Sequence, residues 1–99
     1  PDFADLLAKY VNENPDTTGV LVCGTGIGIS IAANRHPHIR AALCHDVTTS
    51  RLCKEHNDAN VLVLGSRTVG LETGLDCLRA FLGASFGGGR HEGRVAKLG

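Results

Sequence analysis

Gly19-Val20-Leu21-Val22-Cys23-Gly24-Thr25-Gly26-Ile27-Gly28-Ile29-Ser30 is an apolar run that ends in a cysteine and passes into glycines at alternate positions. The apolar residues from Val20 to Cys23, bounded by glycine, predict a buried strand with Cys23 at its carboxyl end. The glycines predict a tight turn. Gly24, Gly26 and Gly28 can take positive φ and carry no side chain, so successive backbone N–H groups can converge on one anionic oxygen. A helix starting near Ile27 adds the positive end of its dipole. The same field favours the thiolate of Cys23, the form in which cysteine acts as base or nucleophile. Taken alone, the stretch also fits a Rossmann-like turn whose glycines only permit close packing, with Cys23 inert. Two phosphate motifs fail here. G-x-G-x-x-G needs glycine where Ile29 stands, and G-x-x-x-x-G-K-[ST], started at Gly19 and Gly24, meets Thr25 in place of lysine. Neither a nicotinamide cofactor nor ATP is favoured, and no cofactor is expected.

On the amino side, Pro1 to Asn14 reads as an amphipathic helix with Phe3, Leu6, Leu7, Tyr10 and Val11 on one face and Asp2 as its cap. Asn14-Pro15-Asp16 ends it. On the carboxyl side, Ile27 to Asn34 is a short helix closed by Arg35-His36-Pro37, and Ile39 to Cys44 is a second strand. Asp46 caps a helix through about Lys54, and Asn60 to Leu64 is a third strand. Gly65 to Gly70 is a loop, Leu71 to Leu82 a helix, Gly83 to Gly89 a glycine-rich connector, and Arg90 to Leu98 a final helix. Strands alternating with helices predict right-handed crossovers and a parallel sheet, hence a three-layer α/β/α sandwich with a Rossmann-like sheet. Ligands of such sheets bind at the carboxyl ends of the strands. Cys23 with Thr25, His45 with Asp46, and Ser66 with Arg67 gather there. A sheet of three strands is thin and the chain opens on a helix, so the start of a larger domain is expected to precede it.

The chain reads as one domain, residues 1–99. Ten basic residues balance ten acidic ones, so no global field draws it to nucleic acid or to a membrane, and any phosphate must be held locally. No run approaches transmembrane length, and the acidic amino-terminal segment lacks the shape of a signal peptide. Four cysteines in an α/β pattern, without a framework of turns, suggest reduced thiols and a cytoplasmic location.

Two further clusters carry chemistry. Glu55-His56-Asn57-Asp58 falls between a helix and a strand, which would let its side chains share the ligand-facing edge with Cys23. His56 suits a general acid/base and Asn57 a hydrogen bond to a sugar hydroxyl. Local sequence alone favours a helix C-cap and a solvated turn. Arg90-His91-Glu92-Gly93-Arg94 puts two guanidinium groups four residues apart, on one helix face, as a bidentate phosphate clamp or simply a solvated basic face. Arg67 and Arg40 are weaker candidates for the same anion. Cys44, His45, Cys53 and His56 include a C-x-x-H spacing that suits half a zinc site. The adjacency of Cys44 and His45 argues against it, and no metal is expected; Cys44, Cys53 and Cys77 suit buried apolar positions.

G-V-L-V-C-G-T-G-I-G-I-S-I-A-A-N, I-R-A-A-L-C-H-D, E-H-N-D-A-N-V-L and G-G-R-H-E-G-R-V, in that order, resemble the ribose-5-phosphate isomerase B family, which includes isomerases of allose and galactose phosphates. The resemblance covers nearly the whole chain, Pro1-Asp2-Phe3-Ala4 included. It implies a metal-independent aldose–ketose isomerase acting on a small-molecule sugar phosphate, ribose 5-phosphate or ribulose 5-phosphate, through a cis-enediolate. Cys23 is then the base that moves a proton between C1 and C2. The turn from Gly24 through Gly26, Ile27 and Gly28 to Ser30 holds the enediolate oxygen. Thr25 and His56 match ring-opening positions, Asn57 a substrate-binding one, Arg90 and Arg94 the phosphate clamp, and Arg67 a third arm. One branch of the family has serine for this cysteine and a glutamate in the turn; Ile29 stands at that turn position here, leaving Cys23 as the only base. The resemblance also implies homodimers with shared active sites, and an Asp-His-bearing strand, a helix and another strand ahead of this segment. The family's aromatic residue after the Cys-His-Asp stretch is replaced by Val47-Thr48-Thr49, which leaves sugar preference open between ribose and a six-carbon phosphate. A catalytically incomplete phosphosugar-binding fragment is the rival reading.

Overall fold

The computed structural model describes residues 2–98, along which the elements are α1 (Asp2–Glu13), β1 (Gly19–Cys23), α2 (Ile27–Asn34), β2 (Ala41–Leu43), α3 (Val47–Asn57), β3 (Val61–Gly65), α4 (Leu71–Gly83) and α5 (Arg90–Ala96). The three strands form one parallel sheet in the order β1-β3-β2. β3 is central, and all five of its residues are buried, as an apolar strand covered on both faces must be. Val61 and Val63 face one layer, where Ala4, Ala8 and Val11 of α1 and Ile29 and Ala33 of α2 meet them. Leu62 and Leu64 face the other, packed with Cys53 of α3 and Cys77 and Phe81 of α4. The architecture is the expected three-layer α/β/α sandwich. The chain crosses β3 on one face through α2 and returns on the other through α3, which is what places β3 between its neighbours.

The expected burial of α1 is corrected. Ala4, Ala8 and Val11 are buried with Leu7 beside them, whereas Phe3, Leu6 and Tyr10 are 75%, 66% and 57% exposed. Small residues let α1 sit close to β1: a Cβ on Gly19 would lie 2.6 Å from Leu7 Cδ2. Asp2 belongs to the first turn of α1, where its carboxylate complements the dipole. The expected start at Pro1 lies outside the described residues.

β2 is shorter than Ile39 to Cys44 because its ends pair irregularly. Arg40 N donates to Asn60 Oδ1 at 2.8 Å, while Arg40 O accepts from the N–H groups of both Asn60 and Val61. Its outer edge is closed by a side chain: Asn34 Nδ2 donates to Ala41 O at 2.9 Å and Asn34 Oδ1 accepts from Ala41 N at 2.7 Å, mimicking a ladder. α3 runs further than Lys54. Asp46 caps it as expected, accepting from Thr49 N at 2.7 Å, but it ends only where Asp58 takes a left-handed conformation and donates its N–H to Lys54 O. β3 gains Gly65, which pairs with Cys23. α5 stops at Ala96 and buries no residue.

Candidate active site

At the carboxyl edge of the sheet, Cys23 ends β1 and is the exposed one of four free cysteines; Cys44, Cys53 and Cys77 are buried. The turn that follows is pinned from beneath by the loop after β3. Ser66 N donates to Cys23 O at 2.7 Å and Arg67 N to Gly24 O at 2.8 Å. Gly65 makes this possible, since a Cβ there would lie 2.5 Å from Thr25 O. Gly26 is buried with φ 79°, the left-handed cap of α2, and a Cβ on it would meet Leu43 Cδ1 at 2.6 Å. Thr25 Oγ1 accepts from Ile27 N at 3.3 Å, and Ser30 Oγ donates to Ile27 O at 2.7 Å.

The turn leaves donors unspent. The first intrahelical bond runs from Ser30 N to Gly26 O, so the N–H groups of Gly28 and Ile29 have no helical acceptor. Around Gly28 a Cβ would find no atom within 4 Å. An oxygen of a ligand lodged there would meet N–H groups and the α2 dipole beside the Cys23 thiol. The Arg67 side chain lies along Gly24, with Nε 3.6 Å from the position of a Cβ on that glycine. Cys23, Thr25, the glycine turn and Arg67 thus form one exposed cluster.

His56, Asn57, Arg90 and Arg94 are not in that cluster, contrary to the expectation that the Glu55–Asp58 segment shares its edge. α3 starts at the carboxyl edge and runs back to the amino edge, so its last turn lies a helix length, roughly 15 Å, from where α3 begins. Contacts confirm the placement: Asp58 and Asn60 bond to Arg40 ahead of β2, and Asn60 O accepts from Gly19 N at the start of β1. α5 is at the same end, because Gly87 N donates to Glu55 O at 2.9 Å and the His91 ring stacks on His56, centroids 4.4 Å apart and 17° from parallel. This second cluster has Asn57, Arg90 and Arg94 exposed and His56 and His91 half-buried. Burial against its neighbour lowers the His91 pKa, with His56, Arg90 and Arg94 acting in the same direction.

The arginines divide by their bonding. Arg40 is spent on structure, with Nε on Asp58 O at 2.6 Å, Nη1 on His38 O at 3.3 Å and Nη2 on Asp58 Oδ2 at 3.4 Å, which removes it as an anion ligand. Arg51 and Arg79 pair with acidic residues of their own helices. Among the described residues Arg67, Arg90 and Arg94 make no ion pair, so their charge is available to an anion. Asp46, beside the carboxyl edge, is occupied as a cap; the Thr49 N–H and hydroxyl hold its carboxyl below the usual range. Among the described residues no three His, Cys, Asp or Glu side chains gather as metal ligands do. The sequence marks Gly65 and His91 only weakly. Their signal was adjacency alone: Gly65 follows the buried strand, and His91 sits between the two arginines.

The family model described as ribose/galactose isomerase matches residues 1–98. The probable ribose-5-phosphate isomerase B of Mycoplasma pneumoniae is 48% identical over 98 residues, covering 99% of this chain and 64% of that protein. For the ribose-5-phosphate isomerase B of Escherichia coli the identity is 47%, with 99% and 66% covered. Among solved structures, the ribose-5-phosphate isomerase B of Clostridium thermocellum superposes with a TM-score of 0.97 at 50% identity, over 100% of this chain and 67% of that one. That of Mycoplasma genitalium, with bound ribulose-5-phosphate, gives 0.95 at 43%, over 99% and 65%. The chain therefore spans about two thirds of the length of the relatives it matches. Backbone, glycine turn and sequence agree, and the chain belongs to the ribose/galactose isomerase family.

Proposed function

We propose that this chain forms the catalytic part of a metal-independent aldose–ketose isomerase that interconverts ribose 5-phosphate and ribulose 5-phosphate, with Cys23 as the base. The observation that carries the reading is the exposed Cys23 thiol beside a turn whose N–H groups lack acceptors. The sugar is supported by relatives named for ribose 5-phosphate and by the ribulose-5-phosphate bound in the Mycoplasma genitalium structure.

In the aldose-to-ketose direction the Cys23 thiolate takes the proton from C2 of the open-chain sugar and negative charge moves onto O1. The N–H groups of Gly28 and Ile29 stabilise that enediolate, as donors aimed at developing charge do in an oxyanion hole. Cys23 returns its proton to C1, and the O2 hydroxyl proton passes to O1, completing the ketose. His56, with Thr25, opens the furanose by taking the O1 proton and supplying one to the ring oxygen. Asn57 binds a sugar hydroxyl, and Arg90 and Arg94 hold the phosphate, joined by Arg67.

Because His56, Asn57, Arg90 and Arg94 lie at the amino edge of the sheet, a second copy must supply them to a given Cys23. The exposed stripe of Phe3, Leu6 and Tyr10 on α1, beside Ile27 and Ile31 on α2, supports such a dimer. Ile27 opens α2 directly after the glycine turn, so a copy seated on that stripe abuts the site.

The test is an assay of ribose 5-phosphate isomerisation with a chelator present, in the full-length protein, comparing wild type with Cys23→Ser. Activity should survive the chelator and fall by about 10²-fold or more in the variant, the scale of a lost general base. Wild-type turnover by Cys23→Ser would remove the thiol from the mechanism. Faster turnover of allose or galactose 6-phosphate than of ribose 5-phosphate would reassign the substrate to the six-carbon sugars.

A further inference from the structure

Among the described residues the His56 ring makes no hydrogen bond and no ion pair, so nothing polar fixes its direction. A histidine that must exchange protons with a particular pair of sugar oxygens needs its ring held, because loss of orientation by about 1 Å costs on the order of 10²-fold in rate. The feature that holds it is the face of His91, stacked at 4.4 Å and 17°. We propose that His91 is a positioning residue for His56, fixing the plane of that ring for furanose opening while Arg90 and Arg94 on either side bind the phosphate.

The local architecture is built around this stack. α5 buries no residue; the connector ahead of it is tied to α3 by the bond from Gly87 N to Glu55 O, and α5 itself sets the His91 ring on His56. A Cβ on Gly87 would stand 3.2 Å from Glu55 O, so the connector approaches the last turn of α3 as closely as its backbone allows. Gly88 and Gly89 follow with φ of 64° and 56°, turning the chain so that α5 starts with Arg90 and places His91 over His56. Burial and the neighbouring guanidinium groups disfavour the charged form of His91. A neutral ring is the better stacking partner, since two imidazolium faces repel. The Arg90–His91–Arg94 grouping is therefore one device, in which the clamp and the acid/base group are registered by a single short helix.

This inference rests on the ring-opening role of His56, and the experiment separates the two. Wild type, His56→Ala, His91→Ala and His91→Phe, each in the full-length protein, are assayed on ribose 5-phosphate. They are assayed also on 4-deoxyribose 5-phosphate, which lacks the ring oxygen and stays open. His56→Ala should lose activity on the cyclic sugar and keep it on the open one. His91→Ala should follow it, with kcat on ribose 5-phosphate lower by about 10- to 100-fold and KM little changed. His91→Phe, which keeps a flat ring on the stack, should recover most of that loss. The ring-current shift of the His56 imidazole protons in NMR spectra should vanish in His91→Ala and persist in His91→Phe. If His56→Ala shows the selective loss and His91→Ala does not, the positioning role is overturned while ring opening stands. Equal losses on both sugars in His56→Ala would overturn both.

Discussion

Gly26 and Gly28 are two residues apart in one turn, yet the same substitution should act on them in different ways. Gly26 sits at φ 79° with Leu43 Cδ1 2.6 Å from any added Cβ, so Gly26→Ala should destabilise the fold by about 1–3 kcal/mol, measured by denaturant unfolding. Gly28 has helical neighbours and open space around it, so Gly28→Ala should leave stability unchanged or slightly raised. Its methyl group would instead stand where the proposed mechanism holds the enediolate oxygen, and turnover should drop by about 10-fold or more, as when an oxyanion donor is obstructed. Loss of stability without loss of activity in Gly28→Ala would show that the open space is not the anion cradle. The alternate glycines were legible as a turn from the sequence. Which of them is steric and which faces the ligand was not, because that depends on Leu43 and Val63, brought beneath Gly26 by the sheet.

At the scale of elements, the turn and helix to Asn34 match their expected bounds because apolar run, glycine and helix start coincide there, but the strand expected to be buried lies at an end of the described sheet, with Val20 37% and Val22 60% exposed. The sequence pattern ends α3 three residues short, at Lys54. Glu55, His56 and Asn57 look like a polar turn in sequence, and only the left-handed Asp58 shows that the helix continues to them. His56 lies at the amino edge for a separate reason: a segment that leads from a helix into the next parallel strand meets that strand at its amino end, wherever the helix stops. The α1 face departs from its apolar pattern for another reason: a helix lying close over β1 buries alanines, and its large apolar residues are left outside. The start of α3 offers a test in pH. Asp46 is held below its ordinary pKa by Thr49, so its cap stabilises the fold fully above the ordinary carboxylate pKa of about 4 and ceases to do so as pH falls through the lower folded value. Asp46→Ala should be less stable than wild type at neutral pH, with the difference closing in acid; a difference independent of pH down to the folded pKa would mean that the carboxylate charge is not the source.

For the molecule as a whole, the sandwich carries its chemistry at two ends. Cys23, the turn and Arg67 occupy the carboxyl edge, and His56, Asn57, Arg90 and Arg94 the amino edge, so a parallel sheet of this size separates the proposed base from the proposed ring opener. Motif order in the sequence names both groups, and the alternation of helix and parallel strand already implies the amino edge for Glu55–Asp58; where the glycine connector carries Arg90 and Arg94 is legible only in the fold. The measurement that tests the account most directly is complementation between two inactive variants of the full-length protein, Cys23→Ala and His56→Ala, unfolded together and refolded as a mixture. If each site joins Cys23 of one copy to His56 of another, a mixed dimer holds one site with both residues intact. Random pairing should then restore about a quarter of wild-type activity on ribose 5-phosphate. No recovery above the separate variants, with mixed dimers shown to be present, would mean that both residues act within one copy and would contradict the shared site.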